Sequence, residues 1–237
     1  MITPNSVRPD TVYGTSRSLP ANGSPMKGND LLLIRGGTER AFKRGERIFS
    51  VDDPAHGLFY ITKGNIKVCR TGILGKEQIV RLAREGDLLG YRSVISGERH
   101  STTAVALEDA TLYFIHRDTF LRLCSLNDGL SQKILTMLAD ELKNAQGRIV
   151  AMAQKSIKSR LAEALLLLSE TCGVEPDDEA LRVNITRQEL ADLIGTATES
   201  VIRILSEFRQ ERIIGITRRR IRILDRKALQ ATADASV

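Results

Sequence analysis

With 237 residues, 42% of them hydrophobic and 27% charged, the chain has the length for one large or two small domains with a buried core. Its formal net charge is +6, and no apolar run approaches the ~20 residues of a membrane span. The N-terminus shows no apolar signal segment, and Cys69, Cys124 and Cys172 are far apart and odd in number, a pattern that predicts reduced thiols in a cytoplasmic protein rather than a disulfide framework.

Residues 1–30 are rich in Pro, Gly, Ser, Asn and Thr and hold few apolar side chains. Such a segment cannot bury enough surface to offset its ordering entropy, so it reads as a disordered leader, with Met26 a candidate for a later natural start. Leu31–Ile34 predicts a turn of helix. From Arg40 short β-prone runs alternate with turns: RIFSV, GLFYIT, NIKVCR, EQIVRLA, DLLGY, STTAVAL and ATLYFIH. The punctuation includes Gly45, Asp52-Asp53-Pro54, Lys63-Gly64-Asn65 and Glu85-Gly86-Asp87. Strands at this spacing predict an antiparallel sandwich or barrel, either enclosing a ligand or filled by its own side chains.

Asp118–Cys124 reads as a short helix, followed by a long one over residues 127–153. Leu130, Ile134, Met137, Leu138, Glu141, Ala145, Ile149 and Met152 form a stripe on it close to heptad spacing. That stripe can serve dimerisation or packing on the β domain. Gln154–Ser156 is a polar break and a candidate hinge. Ile157–Glu170 predicts another helix, with Leu161, Ala164, Leu165 and Leu168 inward; an acidic loop and a strand over Arg182–Ile185 follow.

Thr186 is a good N-cap with Glu189 as its capping-box partner, and Leu190, Leu193 and Ile194 give an apolar face. Gly195 suits a left-handed turn, and Thr196 or Thr198 can cap a second helix. That helix places Val201, Ile204, Leu205 and Phe208 on one face and Glu199, Ser200 and Arg203 on the other. The layout is that of a helix-turn-helix or of an ordinary helical hairpin. Two short alternating runs, 213–216 and 221–224, then flank Arg218, Arg219 and Arg220, a wing whose tip suits phosphate contacts or a solvated turn. From Arg182 to Lys227 there are 11 Lys/Arg against 6 Asp/Glu, so five of the six net charges lie here and point to a polyanion partner.

The order of small β-barrel, long helix, hinge, helix and winged helix-turn-helix, with the run ITRQELADLIGTATESVIRILSEFRQERII, resembles the Crp/Fnr family of bacterial transcription regulators. FKRGERIF, the Lys63-Gly64 turn and GDLLGY carry the resemblance into the barrel. It implies an α+β fold: a cyclic-nucleotide-binding-like antiparallel β-roll over 31–126, a dimerisation helix over 127–153, and a winged helix-turn-helix DNA-binding domain over 154–237. It implies a homodimer on palindromic double-stranded DNA with a TGA-like half-site core, and contact with RNA polymerase through the loop 172–182. The family's base-reading Glu and Arg match Glu199 and Arg203. Arg can donate twice to guanine, and Glu can accept from cytosine. Cyclic-AMP-type members carry Arg where Thr198 stands, and oxygen-sensing members carry Ser where Ile202 stands, so the outer bases of the half-site stay open; Thr198, Ile202 and Ser200 join Glu199 and Arg203 as the base-reading set. Thr186, Arg187 and Gln188 match backbone-holding positions at a helix N-terminus.

The effector segment departs from the family. Gly86, Asp87, Leu88 and Gly90 are followed by Tyr91 in the slot of the ribose-binding Glu. His100-Ser101 occupies the Arg-Ser phosphate slot, with Arg99 or Arg92 as substitutes. A neutral His lacks the guanidinium fork that suits phosphate, so cyclic AMP is not expected. No cysteine precedes Cys69, so no four-thiolate iron–sulfur cluster is expected either. Haem would need His56, His100 or His116 as a ligand, and the effector stays unassigned. A signalling module whose output is not DNA binding is the alternative, and it would call for a fused catalytic or membrane domain. For an enzyme the chain lacks a Gly-rich phosphate loop, an HExxH motif and a nucleophile elbow.

Overall fold

The computed structural model describes residues 37–73, 75–177, 179–218 and 220–235. The expected leader and the turn at Leu31–Ile34 lie outside these. Ten strands are described: β1 (Thr38–Phe42), β2 (Arg47–Phe49), β3 (Gly57–Lys63), β4 (Ile66–Thr71), β5 (Glu77–Ala83), β6 (Leu88–Leu89), β7 (Thr103–Ala106), β8 (Ala110–His116), β9 (Ile214–Thr217) and β10 (Arg220–Ile223). The first eight form two four-stranded antiparallel sheets, ordered β1-β8-β3-β6 and β2-β7-β4-β5. Phe49, Phe59, Ile61, Ile66, Val68 and Leu112 are buried between them, with Phe42 and Phe114 at the margin. The Phe59 and Phe114 rings lie 5.1 Å apart in a tilted contact, so aromatic side chains pack together inside the roll.

The edge pair β4–β5 serves two cores at once. Its register shifts so that Val68 faces Arg81 and Cys69 faces Ile79, which leaves Val80 as an extra residue in β5. The inserted residue lets Ile79 and Leu82, three apart, join the same cluster. Val80 and Ala83 turn to the roll interior instead.

Two readings of this half need correction. DLLGY is not one strand: only Leu88 and Leu89 pair, because Gly90 (φ 77°) turns the chain into helix α1 (Tyr91–Ser96). β1 begins before Arg40, where Thr38 and Glu39 supply no apolar alternation to reveal it.

Helix α2 (Arg117–Leu126) leads into α3 (Asp128–Gln154), a 27-residue rod about 40 Å long. Asn127 caps α3, accepting from the Leu130 amide at 3.1 Å. Ile134 and Met137 are buried with Leu58, Leu88, Tyr91, Val94, Ile115 and Phe120 of the roll. The chain breaks at Lys155 and Ser156; Ser156 caps α4 (Ile157–Thr171), accepting from the Ser159 amide at 3.0 Å. Leu161, Ala164, Leu165 and Leu168 of α4 are all buried. They centre a cluster that runs through α5 (Arg187–Ile194), α6 (Thr198–Gln210), the wing and α7 (Arg226–Asp234) to Cys69, Ile79 and Leu82 of the roll. Arg182–Ile185 forms no strand. The isolated bridges nearby, Val174 to Leu181 and Ala180 to Arg222, fall just before it, although Val183 and Ile185 alternate into the core. Among the described residues no helix is long and apolar enough to cross a membrane.

Candidate nucleic-acid interface

The interface is built from α5, its turn and α6. At the start of α5 the Thr186 hydroxyl accepts from the Glu189 amide at 3.1 Å, and the Glu189 carboxylate accepts from the Thr186 amide at 2.8 Å. This reciprocal capping box fixes the helix entry. Gly195 ends α5 in the left-handed region (φ 67°), and α6 begins three residues later, at Thr198. Neither Thr196 nor Thr198 caps it. The N-cap is Ala197, with no side-chain hydrogen bond, because Thr198 sits one position inside and donates instead to Gln188 Oε1 at 2.7 Å.

In α6 Val201, Ile204, Leu205 and Phe208 are buried, which turns the opposite face outward. Glu199, Ile202 and Arg203 are exposed and Ser200 is half-buried. Glu199 and Arg203 lie one turn apart, about 6 Å along the axis. Arg203 does not pair with Glu199; its guanidinium donates to Glu207 at 2.6 Å, a surface pair worth only ~0.3–0.5 kcal/mol that a base edge can displace. Arg187 is half-buried, and burial lowers its pKa. At the wing, β9 and β10 pair through Ile216 and Ile221. Arg218 is exposed in a left-handed conformation (φ 57°), Arg220 pairs with Glu175 at 2.8 Å, and Arg219 lies outside the described residues.

The residues singled out in the roll are placed differently. His100 is buried and stacks on Phe49 with centroids 4.0 Å apart. Burial lowers its pKa against the opposing pull of Asp53, which favours the neutral ring. It also crowds Gly90, where an added Cβ would meet its Cε1 at 2.8 Å. Asp87 accepts from the Arg84 amide at 3.0 Å and pairs with Arg81 at 3.5 Å, at the end of the turn through Glu85 and Gly86; Leu88 and Tyr91 are buried. Arg99 donates to the Asp52 carbonyl at 2.5 Å, and Ser101 is exposed. Burial pushes the Cys69 and Cys172 thiols up to about 12, so both stay protonated and unreactive near neutral pH.

The long-helix stripe divides. Leu130, Ile134 and Met137 pack on the roll of their own chain, and Glu141 bridges Arg81 at 2.7 Å and Arg92 at 3.5 Å. Leu135, Leu142 and Ile149, seven residues apart, stand 60%, 62% and 68% exposed, flanked by Ala145 and Met152. Leu135 and Leu142 were not expected. Their signal was present, since they continue the heptad back from Ile149, but Ile134 and Met137 beside them are equally apolar.

Sequence reasoning also missed how the helix-turn-helix seats on the roll. The Lys67 ammonium lies 3.4 Å from Glu189 and 3.3 Å from Glu77. Burial opposes its charge, but the pull of Glu189, Cys69 and Glu77 together leaves its pKa raised. Gln78 and Arg160 donate to the Leu193 and Ile194 carbonyls at 3.3 and 2.6 Å, filling free acceptors at the end of α5. Arg44 donates to the Asn184 carbonyl at 2.6 Å. Above this contact, β5, α3, α4 and α5 enclose an open cavity of about 480 Å³. Arg81, Glu141, Leu142, Arg148 and Ile149 are on its wall; of the residues named above for an effector, Arg92 lines it, and Gly86, Asp87, Leu88, Gly90, Tyr91, Arg99, His100 and Ser101 do not.

Residues 39–127 match the cyclic nucleotide-binding domain, and residues 159–232 match the Crp-like helix-turn-helix domain. A global nitrogen regulator from Synechococcus elongatus is 28% identical over 191 residues, 79% of this chain and 86% of that protein. A fumarate and nitrate reduction regulatory protein from Vibrio cholerae is 28% identical over 201 residues, 84% and 79% of the two chains. Among solved structures, FixK2 from Bradyrhizobium japonicum superposes with a TM-score of 0.75 at 23% identity, over 85% of this chain and 99% of that one. A transcriptional regulator of the CRP/FNR family from Thermus thermophilus gives 0.72 at 25%, over 84% and 100%.

Proposed function

Because the chain belongs to the Crp/Fnr family of DNA-binding transcription regulators, we propose that it acts as a homodimer that reads a palindromic site with a TGA-like half-site core. The helix-turn-helix match stands against a module whose output is not DNA binding. The observation that carries the proposal is the outward face of α6. Glu199 and Arg203 are both exposed one turn apart on a helix whose other face is fully buried. A helix so held can enter the major groove, with Arg203 donating to guanine and Glu199 accepting from cytosine. Thr186, Arg187, Gln188 and the wing arginines supply phosphate contacts that set register.

The partner copy packs along Leu135, Leu142 and Ile149, which places the two α6 helices about one DNA turn, roughly 34 Å, apart. The lining of the interdomain cavity shares Leu142 and Ile149 with that stripe, so dimer packing and the seating of α5 on β5 bear on each other. An effector, where one is needed, acts by favouring one such arrangement over another. No residue is assigned a catalytic role. Contact with RNA polymerase and action in the cytoplasm follow from the regulatory role.

A mobility-shift titration with a palindromic TTGAN-type duplex tests this. Glu199→Ala and Arg203→Ala should each weaken the cognate site by about 1–3 kcal/mol, roughly 5- to 150-fold, and leave scrambled DNA nearly unchanged. Equal losses on both duplexes would remove the base-reading role.

A further inference from the structure

Thr198, Gln188 and Asp192 form a chain of hydrogen bonds across the helix-turn-helix. Asp192, in the last turn of α5, is buried. Its Oδ1 accepts from Gln188 Nε2 at 2.7 Å, and Gln188 Oε1 accepts from Thr198 Oγ1 at 2.7 Å. The direction of every proton in this chain follows from chemistry. A carboxylate only accepts, so the Gln188 amide must turn its NH₂ to Asp192 and its carbonyl to Thr198. The opposite flip would set carbonyl oxygen against carboxylate oxygen. Thr198 must then give its single hydroxyl proton to Gln188. Its remaining capacity is two lone pairs, so toward anything beyond α6 it can only accept. The missing cap at Ala197 fits this: Thr198 turns toward α5 rather than serving its own helix.

We propose that this relay makes Thr198 a specificity-determining residue that accepts only, selecting a base with an exocyclic amino group, adenine or cytosine, over guanine or thymine next to the Glu199–Arg203 core. Gln188 and Asp192 are positioning residues that act through Thr198. The inference rests on the reading that α6 lies in the major groove, where N-terminal residues of the recognition helix meet base edges. Adenine N6 and cytosine N4 donate there, whereas guanine O6 and thymine O4 only accept and would face the Thr198 lone pairs. One such bond discriminates by roughly 3- to 10-fold.

The test is selection from duplexes with randomised half-sites, followed by binding titrations of the full chain on the enriched sites. For the wild type, one position flanking the core should favour A or C by roughly 3- to 10-fold. Asp192→Asn is nearly isosteric but can donate, which frees the Gln188 amide to flip and Thr198 to donate outward. The preference at that one position should then collapse or invert, while the core stays selected. Thr198→Val should abolish it and guards against a fold lost in Asp192→Asn; a thermal melt of each variant reports folding. A purely structural role for the relay would weaken all sites together. An enriched palindrome with no amino-base preference, or a preference that Asp192→Asn and Thr198→Val both leave intact, overturns the relay alone. Failure of the wild type to enrich any palindrome overturns the base-reading proposal and the relay with it.

Discussion

Truncating Leu142 should dissociate the dimer without unfolding the chain. Leu142 is 62% exposed on a single copy, midway along the stripe from Leu135 to Ile149. Fully burying a leucine side chain contributes ~1.5–3 kcal/mol, so covering the exposed portion contributes about 1–2 kcal/mol per copy. A two-fold interface uses the residue twice, so Leu142→Ala should cost about 2–4 kcal/mol of dimer stability. At 1.4 kcal/mol per decade, the dimer Kd rises roughly 30- to 700-fold. Sedimentation velocity across a dilution series measures it. Ile134→Ala is the control. Ile134 is buried under the roll of its own chain, so its truncation should cost about 2–4 kcal/mol of folding stability, read as a lower Tm, with a smaller change in Kd. The reasoning is refuted if Leu142→Ala leaves the Kd unchanged while Ile134→Ala splits the dimer.

Two further outcomes concern the seating of α5 and the roll. Lys67→Met keeps the aliphatic stem but removes the ammonium between Glu189 and Glu77, so it should loosen α5 from β5 by about 1–2 kcal/mol. Amide exchange in α5 should accelerate roughly 5- to 30-fold, and unchanged protection would show that the contact holds nothing. For Asp87, burial raises the carboxyl pKa against the pull of Arg81 and the Arg84 amide. Between the ordinary aspartate range and that raised value the folded chain holds a proton that the unfolded chain releases, so stability falls as pH rises through this window. Thermal melts should show Asp87→Asn flattening that slope; an identical slope in both proteins refutes the assignment.

Much of the architecture was legible in the sequence because it rests on local chemistry. The Thr186–Glu189 capping box, Gly195 and the apolar face of α6 each need only neighbouring residues, and the structure forms them where the pattern put them. What escaped depends on contacts distant in sequence. Nothing local distinguishes Ile134 from Leu135: one faces Phe120 and Leu58, the other solvent, and only the placement of the roll decides between them. Gln78 and Lys67 read as ordinary strand residues until α5 is laid against them. Thr198 looked like a cap because its side chain is suited to one, yet Gln188, ten residues earlier, competes for its proton. His100 stood in a phosphate-binding slot by alignment with the family, whereas the Phe49 ring against it marks a packed interior.

The central claim is that two copies of α6 read two half-sites at once. Fluorescence anisotropy on a palindromic duplex and on the same duplex with five base pairs inserted at its centre tests it most directly. A two-fold dimer spans half-sites about one turn, 10–10.5 base pairs, apart, and the insertion rotates one half-site to the far side of the helix. The expected result is at least a ~100-fold loss of affinity, down to the level of a single half-site, with the loss absent in Leu142→Ala at concentrations where that variant is monomeric. Equal affinity of the wild type for both duplexes would contradict the paired reading.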